Sequence, residues 1–170
     1  MAKTKDPARQ LQGAVNKARG KRFEEYIDRS FAHYEEKGFA AIVKTPEPMR
    51  PTKPLGNGKF IAFFEKTAQP DYKGTIKGGR CVMFEAKYTS TDRLEQTRVL
   101  TGQAETLERH HRLGARCYVI AGFSTGEVYC IPWDVWQRMK ELFGRKYITE
   151  KDAEPYRVPT ARNGTLMLLD

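Results

Sequence analysis

The sequence predicts a single α/β domain, a central mixed β-sheet flanked by helices, with a stalk protruding from it. Three observations carry this expectation. Phe23, Tyr26, Ile27, Ser30, Phe31 and Tyr34 recur at three- and four-residue steps, the period of a helix with one buried stripe. "RCVMFEAKY" (80–88) and "ARCYVIAGF" (115–123) have the length and the β-branched and aromatic content of strands. Between them in character, "TPEPMRPTKPLGNG" (45–58) is too rich in Pro and Gly for a core helix or a central strand.

The elements follow in order. Residues 1–16 are polar and basic with little periodicity, so they are expected to form a flexible arm. Residues 17–170 form the domain, a size that one hydrophobic core can serve. The first helix stops at Gly38, and "FAAIVK" (39–44) is a first strand. The stalk occupies about 45–67; its second half, "KFIAFFEK" (59–66), is strand-like. Residues 71–76 and 80–89 bracket "KGG" and read as a hairpin. A helix is expected from about Asp92 to Arg112, ending near Gly114. Strands 115–123 and 127–133 are joined by "STG". Pro132 opens a helix through Phe143, with Trp136 and Met139 inward, and "GTLMLLD" (164–170) reads as a last edge strand.

Composition narrows the class. A net charge of +9 favours polyanionic partners. No apolar run reaches membrane-spanning length, and the N-terminus lacks the apolar centre of a secretory signal, so no membrane partner and a cytoplasmic protein are expected. Cys81, Cys117 and Cys130 lie on strands without CxxC spacing, which suits reduced, packed thiols and no zinc finger.

The chemistry concentrates around strand 80–88. Side chains alternate along a strand, so Val82, Phe84, Ala86 and Tyr88 share one face and Met83, Glu85 and Lys87 the other. The hairpin brings Asp71 alongside. Carboxylates in such a setting are costly unless paired, and a divalent cation with oxygen ligands removes that cost. The plainer alternative is a Glu85–Lys87 salt bridge with Asp71 in a turn. Gln103 shares a helix face with Leu100, Ala104 and Leu107, so it points inward, either toward Glu85 or as an amide capping a backbone group.

"PD" (70–71), thirteen residues, then "EAK" (85–87) is the PD-(D/E)xK nuclease signature. "ARGKRFEEYI" (18–27) resembles the opening helix of RecU-type Holliday junction resolvases. "DYKGTIKGGRCVMFEAK" (71–87) and "GQAETLERHHRLGARCYVIAGF" (102–123) resemble that family's core in order and spacing, and the Pro-rich excursion sits where those enzymes carry a stalk. The resemblance runs roughly from Arg19 to Leu169. It implies a restriction-endonuclease-like core and a homodimer that makes paired symmetric nicks in branched DNA, the four-way junction. It implies magnesium, with manganese as a substitute, held by Asp71 and Glu85 and completed by Gln103. It makes Lys87 the transition-state stabiliser and Glu24 a helix glutamate at the site, with Glu25 its rival. The family's threonine two residues before the aspartate, also placed around the metal, is Gln69 here, so the resemblance makes Gln69 a further metal residue, with a backbone or water contact in place of the side chain.

Cationic residues gather on the arm and first helix (Arg19, Lys21, Arg22), the stalk and its base (Lys44, Arg50, Lys53, Lys59, Lys66) and the hairpin (Lys73, Lys77). Phosphate contacts of this kind give affinity without sequence readout. Phe60, Phe63 and Phe64 suit base stacking at an opened junction centre, although at least two of them are expected as core or dimer contacts. The competing functions are another PD-(D/E)xK endonuclease of restriction, repair or phage type, and a non-catalytic DNA-binding module.

Overall fold

Five strands make the central sheet of the computed structural model, which describes residues 7–46, 48–64 and 69–169. They are β1 (Ala40–Lys44), β4 (Tyr72–Ile76), β5 (Arg80–Tyr88), β7 (Arg116–Gly122) and β8 (Val128–Pro132), in the order β1-β4-β5-β7-β8. Only β5 and β7 pair in parallel, as a strand–helix–strand crossover requires; the other neighbours are antiparallel. The crossover helix is α2 (Thr101–Arg112). The sheet is therefore mixed, as expected.

One face of the sheet packs on α1 (Pro7–Glu36). Phe23, Ile27, Phe31 and Tyr34 meet Val82, Phe84 and Ala86 there. Gly122 on β7 admits α1 closely: a Cβ at that position would sit 2.7 Å from the Phe23 ring. The other face carries Met83, Cys117, Val119 and Ala121, covered by α2, by α3 (Trp133–Gln137) and by α4 (Met139–Phe143). The alternation read from the sequence thus sorts β5 between two cores. Cys117 and Cys130 have thiols pushed up to about 12 by burial, and all three cysteines are free.

Several elements differ from expectation. Helix α1 begins at Pro7, a good first helical residue, so residues 7–16 are helical rather than an arm; residues 1–6 lie outside the described part. The helix expected from Asp92 is instead a short strand β6 (Arg93–Glu95), a single 3₁₀ turn (Gln96–Arg98), and only then α2. Strand β6 pairs with β9 (Tyr147–Thr149), and its Leu94 is buried, so tertiary pairing overrides the local helical pattern. The Trp133–Phe143 helix breaks at Arg138 into α3 and α4. A four-residue helix, α5 (Glu150–Ala153), follows β9.

The C-terminal tail is no edge strand. Leu166 N–H donates to Ser30 Oγ at 2.9 Å and Leu169 N–H to Tyr34 Oη at 3.3 Å, so it lies on α1. Ser30, in the apolar stripe, is fully buried for this reason, while Tyr26 of the same stripe is exposed beneath the Arg29 guanidinium.

The stalk is a separate two-stranded ribbon of β2 (Met49–Gly56) and β3 (Lys59–Phe64). Gly56, Asn57 and Gly58 all take positive φ at its tip, which explains "GNG". Phe60 and Phe63 are exposed, so neither is a core residue of this chain; the side chain of Phe64 lies outside the described part.

Candidate active site

β5 runs through the sheet centre, with β4 on one side and β7 on the other. Glu85, at its middle, is fully buried. Tyr72 pairs with Phe84, so Asp71, the residue before β4, comes to rest beside Glu85. Reciprocal backbone donors clasp the pair. Asp71 N–H donates to Glu85 Oε2 at 3.2 Å, and Ala86 N–H donates to Asp71 Oδ2 at 2.9 Å. Lys87, on the same face of β5, donates from Nζ to the other oxygen of Glu85, Oε1. The salt bridge and the convergence of two carboxylates, alternatives at the sequence level, are both present.

The electrostatics follow from burial. It pushes the Glu85 carboxyl up to about 7, the Asp71 charge acts in the same direction, and Lys87 opposes both. Burial also raises Asp71 above the usual aspartate range, against the pull of Lys87 and the Ala86 N–H. One ammonium does not compensate two carboxylates in a desolvated cleft. The donors are hard oxygens on neighbouring strands, and a hard divalent ion fits them. Among the described residues, no third His, Cys, Asp or Glu completes a metal-binding cluster. A bound ion would therefore keep open positions for water and substrate oxygens.

Helix α1 supplies the other wall. Glu24 bonds Lys44 Nζ at 2.6 Å, and its charge is one of those that raise Asp71. Glu25 is exposed. One turn on, Asp28 accepts from Tyr72 Oη at 2.7 Å and lies 4.0 Å from Lys44 Nζ. Sequence reasoning missed Asp28, although its i,i+4 spacing from Glu24 puts both on one helix face. Lys44, expected as a DNA contact, is engaged by these two acids.

The glutamines behave differently from the expected metal ligands. Gln103 sits in the first turn of α2, where backbone N–H groups lack helical partners. Its Oε1 accepts from Leu100 N–H at 3.1 Å, which is the capping alternative. Gln69 is exposed, and its Oε1 accepts from Lys73 Nζ at 3.2 Å. Neither is joined to the Asp71–Glu85 pair by a hydrogen bond.

The cationic residues are spread. Arg19, Lys21 and Arg22 are exposed along α1, and Arg50, Lys53 and Lys59 along the stalk. Lys73 lies near the site, but Lys77 is in the turn after β4, at the far end of that strand. Lys66 lies outside the described residues.

Known proteins resemble this chain over most of its length. The family model described as Recombination protein U (RecU) matches residues 18–168. A Holliday junction resolvase RecU of Streptococcus sanguinis is 32% identical over 132 residues, covering 73% of this chain and 66% of its own length. Those of Geobacillus sp. and Geobacillus thermodenitrificans are 29% and 28% identical, covering 81% and 88% of this chain and 73% and 79% of their own lengths. The solved Holliday junction resolvase of Archaeoglobus fulgidus superposes with a TM-score of 0.49 at 18% identity, over 87% of this chain and 96% of that one. The family match spans nearly the whole domain and both walls of the acidic cleft: this chain belongs to the RecU family of Holliday junction resolvases.

Proposed function

We propose that the protein resolves four-way DNA junctions by magnesium-dependent hydrolysis, acting as a homodimer that makes one nick per subunit in strands of like polarity. The observation that carries this reading is the Asp71–Glu85 clasp with Lys87 beside it, in a chain of this family. Asp71 and Glu85 hold the ion, with manganese a competent replacement. The bound ion supplies Lewis acidity and a more acidic water. Lys87 already has one partner, Glu85, and that pairing fixes its ammonium at the cleft. From there it places positive charge against the non-bridging oxygens as the phosphorane becomes more negative. Glu24 faces the same cleft from α1 and orients water, while Lys44 sets its position. Gln69 and Gln103 contribute, at most, through backbone or water.

The stalk and the cationic surface select DNA by shape. Phe60 and Phe63, exposed on the ribbon beside Arg50, Lys53 and Lys59, offer stacking surfaces to unpaired bases at the junction centre. Two-fold symmetry matches two symmetric cuts.

The test is to incubate the protein with a mobile four-way junction, linear duplex and single strands, in magnesium, in manganese and in chelator. Paired symmetric nicks on the junction, dependent on the metal, are expected. Equal cutting of duplex and junction, or junctions shifted but uncut in magnesium, would overturn the reading.

A further inference from the structure

A groove of about 1250 Å³ opens directly beside Lys87. One wall is the N-terminal half of α1, including Lys17 and Lys21; the other is the loop Thr89–Asp92 with β6 and Arg98. Ser90 Oγ donates to Asn16 Oδ1 at 3.3 Å and ties the two walls together. The loop is preformed: Thr89 N–H donates to Gly122 O at 2.9 Å, and the Thr89 and Thr91 hydroxyls both donate to Arg93 O.

Charge in this groove is unevenly compensated. Arg93 is paired with Glu95 at 3.0 Å, and Glu24 with Lys44. Lys17, Lys21 and Arg98 have no ion pair among the described residues, against a single unpaired acid, Asp92. Arg98 is also anchored. Its Nη2 donates to Tyr88 O at 3.4 Å, one residue beyond Lys87 on the same strand. This anchoring exists only because residues 93–98 form β6 and a 3₁₀ turn instead of the helix that the local sequence favours.

We propose that this groove seats the sugar–phosphate backbone of the duplex arm flanking the cut, with Arg98 and Lys21 as phosphate-binding residues on its two walls. Arg98 then acts as a positioning residue. Its guanidinium grips a neighbouring phosphate at a fixed offset from Lys87, which registers the scissile phosphate over the carboxylates. The contact reads no base, so it contributes affinity and registration for any sequence. The proposal rests on the nuclease reading above for the meaning of that registration, but not for the existence of the contact.

The test separates the two. A fluorescein-labelled four-way junction is titrated with protein in chelator, at several salt concentrations, with anisotropy as the readout. Arg98→Ala and Lys21→Ala should each weaken binding about tenfold and lower the log–log salt slope by about one. Arg98→Lys should restore the slope. Lys140→Ala, on α4, should bind as wild type. In magnesium, Arg98→Ala should raise the half-saturating concentration and, even at saturation, lower the single-turnover rate, because the scissile phosphate is no longer held in register. Wild-type affinity and slope in Arg98→Ala would overturn the proposal, as would a lowered maximal rate with unchanged affinity. Circular-dichroism melting identifies any variant that fails to fold, and Arg98→Gln then serves as the second substitution. A wild-type protein that binds junctions but never cuts them would sink the nuclease reading and leave the groove assignment standing.

Discussion

Glu85 is the residue on which the most physics converges. A carboxyl whose folded value lies above its ordinary value costs stability once it ionises. The unfolded chain loses this proton near 4.5 and the folded chain near 7. Between those values the folded state holds the proton that the unfolded state has released, so stability falls as pH rises. The fall levels off above the folded value and amounts to about 3 kcal/mol at most. Asp71, raised in the same direction, adds to the trend. Chelated protein should therefore melt several degrees lower at pH 8 than at pH 5, and Glu85→Gln should flatten that dependence; an unchanged slope in Glu85→Gln would sink the argument. Lys87→Ala should keep junction binding and lose about two orders of magnitude in single-turnover cutting. Gln103 separates inheritance from geometry. As a cap of α2, Gln103→Ala should cost about 1 kcal/mol of stability, read by denaturant titration, with cutting at saturating magnesium preserved. Loss of cutting at unchanged stability would return Gln103 to the metal.

At the scale of elements, the five strands of the central sheet are legible in the sequence and the joins between them are not. The 80–88 strand announces itself by length and by Val82, Phe84 and Ala86 facing away from Glu85 and Lys87, and hairpin register then fixes Asp71. Residues 92–100 carried no such signal, because β6 exists only through its pairing with β9, more than fifty residues later. The tail departs from expectation for a related reason: an apolar "LMLL" run cannot reveal that its partner is Ser30 on α1 rather than a sheet edge. The stalk was legible as an excursion but not as a ribbon that exposes Phe60 and Phe63. That ribbon makes its own prediction. Met49 and Phe64 are cross-strand partners, so their Cα atoms lie within about 5.5 Å and a short Gly-Ser linker can replace the hairpin. Because neither strand joins the central sheet, the melting temperature of the shortened protein should stay near that of the wild type. Junction cleavage should fall well below cleavage of a nicked or linear control. Equal losses on all substrates would show that the ribbon serves the chemistry or the fold instead.

Among the described residues, one acidic cleft with Lys87 beside it is found per chain, sufficient for one nick at a time. A junction opened by a single nick is still a branched molecule, so productive resolution needs a second cut before the first product leaves. In the proposed homodimer, two-fold pairing of chains would supply this at fixed geometry. Light scattering should then give twice the 19.5 kDa chain mass at assay concentrations. The stronger test uses mixed dimers of wild-type and Lys87→Ala chains, assembled with distinguishable tags and purified by both. Each half can still bind its arm, but only one can cut. Such dimers should nick one strand of the junction at about the rate of a wild-type subunit and accumulate the singly nicked species, whereas wild-type dimers pass through it quickly to linear products. If the mixed dimers linearise junctions as wild type does, each cleft samples both strands in turn, and symmetry is not what couples the cuts.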